Sequence, residues 1–146
     1  MNNSEEAYKK YYKTLQPCIS PALNEAVYFN ADGLHHLLYD EKKRRPRNAA
    51  ERQNRLVLLQ YVRGVIASAT QAVKLVKSQY PLVVTWSLTH DVIGPGGQML
   101  PIKVVVIRKG SRRLYFLSVM CKRKIDYKKK GLFAFLRGLV AKNPKP

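Results

Sequence analysis

Leu82, Val84, Trp86 and Leu88 recur at every second position of Leu82–Thr89. They therefore share one side of an extended chain, with Val83, Thr85, Ser87 and Thr89 on the other. Gly94-Pro-Gly-Gly97 then interrupts any regular element. Two further β-branched and aromatic runs follow, Ile102–Arg108 and Leu114–Cys121, divided by a Lys109-Gly110 turn. Connections this short predict antiparallel neighbours, so the three runs form a meander.

Upstream, the period lengthens. Ser4 is placed to cap a first helix that carries Glu5 and Glu6 in its first turn and Tyr8, Tyr11, Tyr12 and Leu15 at helical spacing; Pro17 and Pro21 end it. Ala26–Asn30 reads as a fourth strand, and Ala31–Tyr39 as a short helix with Leu34, Leu37 and Leu38 on one side. A 100° step per residue puts His35 at the border of that leucine side and His36 nearly opposite it. After a basic loop, Asn48 and Glu51 make a capping-box pattern at the head of a long helix. Its stripe runs through Leu58, Val62, Val65, Ala69, Ala72 and Val76, with Ser68 and Thr70 marking a place where it can break. Leu132, Phe135, Leu136 and Leu139 predict a short amphipathic helix near the C-terminus. The fold class is α+β: an antiparallel meander with an N-terminal strand, helices mainly on one face and the other face left for a ligand.

Composition bounds this picture. The 146 residues suit one domain, divided into an N-terminal helix and linker (1–25), an α+β core (26–121) and a basic tail (122–146). Lys and Arg number 27 against 9 Asp and Glu, a net charge of +18, which attracts polyanions. The bases cluster at Lys42, Lys43, Arg44, Arg45 and Arg47, at Arg112 and Arg113, and at Lys122, Arg123 and Lys124. Cys18 and Cys121 stand alone, with no zinc-ligand spacing, and the acids form no paired cluster, so neither a metal site nor a cofactor is expected. No stretch approaches the ~18 apolar residues of a membrane span, and no leader is evident, which points to a reducing cytoplasm.

The order of elements, together with Val27-Tyr-Phe-Asn-Ala-Asp-Gly-Leu-His-His-Leu-Leu38, resembles the small-nuclease group of barnase, EndoU, colicin-type transfer-RNA nucleases and RelE-type toxins, its phage-associated members in particular. The resemblance covers roughly Ala26–Cys121 and implies a RelE-like fold and metal-independent cleavage of RNA by the ribose 2′-hydroxyl. Such chemistry needs a base, cations for the phosphate and an acid for the leaving oxygen. His36 or His35 supplies the base. Lys103 and Arg108 supply a phosphate clamp, although strand alternation sets those two on opposite faces. Tyr115, Ser118 or His90 remains to orient the nucleophile or donate the last proton. The resemblance also implies RNA as partner, as transfer RNA or ribosome-bound message, and an acidic antitoxin-like protein to cover the site.

Two other classes compete. One is a non-catalytic nucleic-acid-binding protein that uses the charge alone; the other is a membrane-surface protein using the tail helix. Zinc-finger spacing, a basic zipper and a helix-turn-helix are all missing from the sequence. Charge-driven binding has a plain signature. With six to ten phosphate contacts, RNA affinity should fall by roughly three to five decades between 50 and 200 mM salt. A filter-binding titration measures this, and a salt-insensitive affinity would remove the polyanion reading.

Overall fold

A computed structural model describes residues 3–79 and 81–121; the basic run at 122–130 and the tail helix lie outside the described residues. The chain is α+β. Helix α1 (Asn3–Lys13) is followed by strands β1 (Cys18–Ser20) and β2 (Glu25–Tyr28), helix α2 (Ala31–Leu38) and the small ribbon of β3 (Tyr39–Asp40) and β4 (Arg45–Pro46). Helices α3 (Ala49–Leu56) and α4 (Leu59–Ser68) come next, then β5 (Ala72–Gln79), β6 (Leu82–Ile93), β7 (Met99–Lys109) and β8 (Leu114–Cys121).

Six strands form one sheet in the order β1-β2-β8-β7-β6-β5. The meander β6-β7-β8 is antiparallel, and β2 joins β8 in parallel, Val27 against Leu114 and Tyr28 against Tyr115. Gly97 (φ 79°) and Gly110 (φ 63°) take the left-handed conformations that the two meander turns require. Leu88, Val104 and Val119 lie abreast on β6, β7 and β8 and are fully covered. They meet Leu56, Leu59, Val62, Val65 and Ile66 of the helices, with Tyr8 and Tyr12 of α1 closing the core. Ser4 sits inside the first turn of α1 rather than capping it.

The long helix expected from Asn48 onward is not one helix. Asn48 does cap α3, accepting from the Glu51 N–H at 2.8 Å and donating back to Oε1 of Glu51 at 3.0 Å. The chain then breaks at Val57-Leu58 and again at Ala69, where ψ turns to 130°. Ala72–Gln79, read as the end of the helical stripe, is strand β5, paired along β6 with a register shift between Lys74 and Val76. Pairing with β6 satisfies a backbone ladder that a helix would leave open, and this outweighs the modest propensity difference. Similarly, the segment after Pro17, read as linker, supplies edge strand β1.

Gly33 of α2 packs closely against β8 and Tyr12. A Cβ there would stand 2.5 Å from the Tyr12 hydroxyl, 2.7 Å from the Phe116 carbonyl oxygen and 2.8 Å from the Phe116 ring. By contrast, Gly64 in α4 is exposed, and a Cβ there would meet nothing within 4 Å. Gly33→Ala should therefore destabilise by about 1–3 kcal/mol through overpacking. Gly64→Ala should stabilise by about 0.5–1 kcal/mol. Urea denaturation of both variants checks the contrast.

Candidate functional site

Helix α2 carries the two candidate bases, and its rotation decides their environments. Its buried residues are Gly33 and Leu37, not the trio Leu34, Leu37 and Leu38. The buried direction thus lies between Gly33 and Leu37, where the missing side chain lets the helix reach β8. At 100° per residue His36 falls about 80° from that direction and His35 about 180°. The expected environments are exchanged. His35 is the exposed imidazole, stacked on Tyr39 at 5.0 Å with Nε2 3.4 Å from Oε1 of Glu41. His36 is half-buried.

A chain of supports fixes His36. Arg47 Nε donates to the His36 carbonyl oxygen at 3.3 Å. The Arg47 backbone oxygen in turn accepts from Arg52 Nη1 at 2.6 Å, and Arg52 Nε donates to the buried Glu5 carboxylate at 2.6 Å. With its Nη1 3.8 Å from both Asp40 and Glu51, Arg47 is a strut between α2, the β3-β4 ribbon and α3, and no longer a free phosphate binder.

On β8 the ladder to β7 slips at Leu117, which leaves Ser118 opposite Val105 and Phe116 opposite Val106. Ser118 is 2% exposed, and its hydroxyl oxygen accepts from Arg55 Nη1 of α3 at 2.9 Å. Because β2 stops at Tyr28, opposite Tyr115, α2 rather than a strand flanks β8 beyond that point. Arg55 and Ser118 are thus in direct contact, and His36 of α2 lies within electrostatic reach of Arg55. Burial lowers the His36 pKa from the ordinary 6.5, and the Arg47 and Arg55 charges lower it further, against a smaller opposing pull from Glu41. Burial also lowers the Arg55 pKa, but a guanidinium remains cationic at neutral pH.

The other expected residues are dispersed. Lys103 pairs with Met120, which sets it a diagonal step from Ser118. Arg108 lies five residues further along β7, roughly 16 Å away, ion-paired to Glu25 and 5.9 Å from the Trp86 ring centre. Lys103 and Arg108 thus form no common clamp. Tyr115 lies 6.3 Å from Tyr28, over which Arg113 stacks at 4.4 Å, and Arg112 lines a hollow beside them. His90 is exposed on β6, opposite Ile102. Lys42, Lys43, Arg44 and Arg45 are exposed on the β3-β4 ribbon, where Asp40 accepts from the Lys42 and Lys43 N–H groups. Lys122, Arg123 and Lys124 lie outside the described residues.

Arg55 was missing from the sequence-based set, because a continuous helix puts it among outward bases. Leu56-Val57-Leu58-Leu59 was the available signal: four consecutive buried residues cannot share one helix face, so the chain must turn there. Among the described residues no group of three His, Cys, Asp or Glu is placed to hold a metal ion, and no helix is long and apolar enough to cross a membrane.

The lowered His36 pKa has a stability consequence. The unfolded imidazole titrates near 6.5. The folded state favours the neutral ring, so its contribution is complete above that pH and is lost as pH falls through the lower folded value. Histidine NMR titration should give His36 a midpoint below 6.5, and His36→Gln should flatten the decline of stability on the acid side.

Compared with family models, curated proteins and solved structures, the chain matches none.

Proposed function

We propose that the chain is a metal-independent endoribonuclease, of the toxin or phage type that the small-nuclease resemblance implies, with a RelE-like arrangement of its sheet. The observation that carries this is a half-buried, neutral-leaning His36 within electrostatic reach of Arg55, whose half-buried guanidinium is held by Ser118. A base must be unprotonated to accept a proton, and burial with two nearby cations favours that form.

In the reaction, His36 removes the proton from a ribose 2′-hydroxyl. The 2′-oxygen bonds to the adjacent phosphorus, and the bond from phosphorus to the 5′-oxygen breaks. The departing oxygen takes a proton from solvent water, leaving a 2′,3′-cyclic phosphate. Arg55, with one terminal nitrogen engaged by Ser118, keeps its remaining N–H donors for the phosphate oxygens. Ser118 is then a positioning residue for that guanidinium. Lys103 adds positive charge a diagonal step away, and the exposed Lys42–Arg45 ribbon holds more distant phosphates without sequence preference. The partners of this reading are RNA and an acidic protein able to cover the site.

Purified protein incubated with mixed RNA in EDTA should yield cyclic phosphate ends. His36→Ala should lower the rate by about 10²–10⁴ with RNA affinity nearly unchanged, whereas His35→Ala should be nearly silent. Arg55→Ala should reduce both rate and affinity, since a phosphate contact acts in ground and transition states. Wild type that binds RNA and never cleaves it, with or without ribosomes, would leave the non-catalytic nucleic-acid-binding reading in place.

A further inference from the structure

Among the described residues one carboxylate is buried, that of Glu5 in the first turn of α1, which is 8% exposed. Burying a charge is costly, and even a well-paired one adds little net stability. Its partner gives the placement a use. The Arg52 guanidinium is a rigid plane with two of its nitrogens committed, Nε to Glu5 and Nη1 to the Arg47 backbone oxygen, both at 2.6 Å. Fixing the first bond therefore aims the second. The Arg47 N–H donates to the Leu38 carbonyl at 2.8 Å, so the backbone of Arg47 is held from both sides. The last link reaches α2. His36 lies in the final turn of this eight-residue helix, where carbonyls have no intrahelical partner, and Arg47 Nε donates to the His36 carbonyl at 3.3 Å. That bond is long, and the contacts of Arg47 with Asp40 and Glu51 are longer still at 3.8 Å. The short bonds of the series lie at its α1 end. Two turns of helix are marginal alone, so contacts at each end decide where its side chains stand. Gly33 seats the first turn of α2 against β8, and Arg47 holds the last.

We propose that Glu5 is a positioning residue for His36, acting from α1 through Arg52 and Arg47. The inference rests on the nuclease reading for its effect on cleavage, but not for its effect on the imidazole. Without the carboxylate, the Arg52 guanidinium loses the bond that aims it and releases the Arg47 oxygen. The Arg47 side chain then shifts away from His36. Arg47, Arg55, Glu41 and His35 are the charged and titratable groups that act on this ring, and after burial Arg47 does most to keep it neutral.

The test is histidine NMR titration of Glu5→Gln in the full chain without RNA, followed by cleavage assays in EDTA. The His36 midpoint should rise from its wild-type value toward 6.5. Loss of a negative charge would by itself lower the midpoint, so a rise reports the movement of Arg47. Glu6→Gln removes the same charge one residue away, from an acid paired with Lys9, and should leave the midpoint in place. Arg52→Lys keeps the charge but offers no rigid fork to join Glu5 to the Arg47 oxygen, and should give the same rise. Combining it with Glu5→Gln should add nothing further, since both break one series. Cleavage by Glu5→Gln should slow by up to about 10²-fold, the cost of displacing a catalytic group by about 1 Å, with RNA affinity nearly unchanged. Should Glu5→Gln not fold, Arg52→Lys carries the same readings. An unmoved or lowered midpoint in the folded variants, or an equal rise in Glu6→Gln, would overturn the relay. Cleavage at the wild-type rate by a variant whose midpoint has risen would also overturn it. A raised midpoint in a protein whose wild type cuts no RNA would keep the relay and remove the nuclease reading.

Discussion

The close approach of Gly33 to the Phe116 carbonyl governs most of what surrounds it. A helix that lacks a side chain at its contact point sits deeper and is rotated toward that point. Here the rotation turns Leu37 fully inward and leaves His36 half-buried, within electrostatic reach of Arg55. Tyr12 locks the same corner, donating to the Asn30 carbonyl at 2.6 Å directly before α2 begins, and burial raises the pKa of its phenol. Position, protonation state and access of the candidate base therefore trace back to one absent methyl group.

Charge is distributed with a similar economy. Four of the nine carboxylates in this strongly basic chain hold arginines in place. Glu5 holds Arg52, Asp40 and Glu51 flank Arg47, and Glu25 holds Arg108. What remains unpaired is a positive exterior beside a half-buried guanidinium that no acid in its own helix reaches as an ion pair. A phosphate is the natural counter-charge for such an arrangement.

Much of the scaffold was legible in the sequence because local and tertiary signals agreed. The period of two, the glycine turns and the Asn48–Glu51 cap each have a single reading, and the structure contains them. Ala72–Gln79 was illegible because valines and leucine there also continue a helical stripe; only the open flank of β6 decides between the two. The histidine pair was read from the leucines, whereas the buried direction is set by a glycine, which hydropathy ignores. Arg55 was hidden by the same mistaken continuity, since its direction depends on the turn at Val57-Leu58. The parallel seat of β2 beside β8 depends on contacts distant in sequence, which periodicity does not encode.

That parallel pairing carries a consequence for the time before the chain is complete. Among the described strands β8 is the last to be synthesised, yet it occupies an interior position between β2 and β7. His36 and Arg55 leave the ribosome long before Ser118. Until β8 emerges, α2 has no surface against which Gly33 can seat, and Arg55 has no hydroxyl to orient it. On the reading proposed above, a nascent nuclease surrounded by messenger and ribosomal RNA is thus disarmed by its own topology until translation has passed β8.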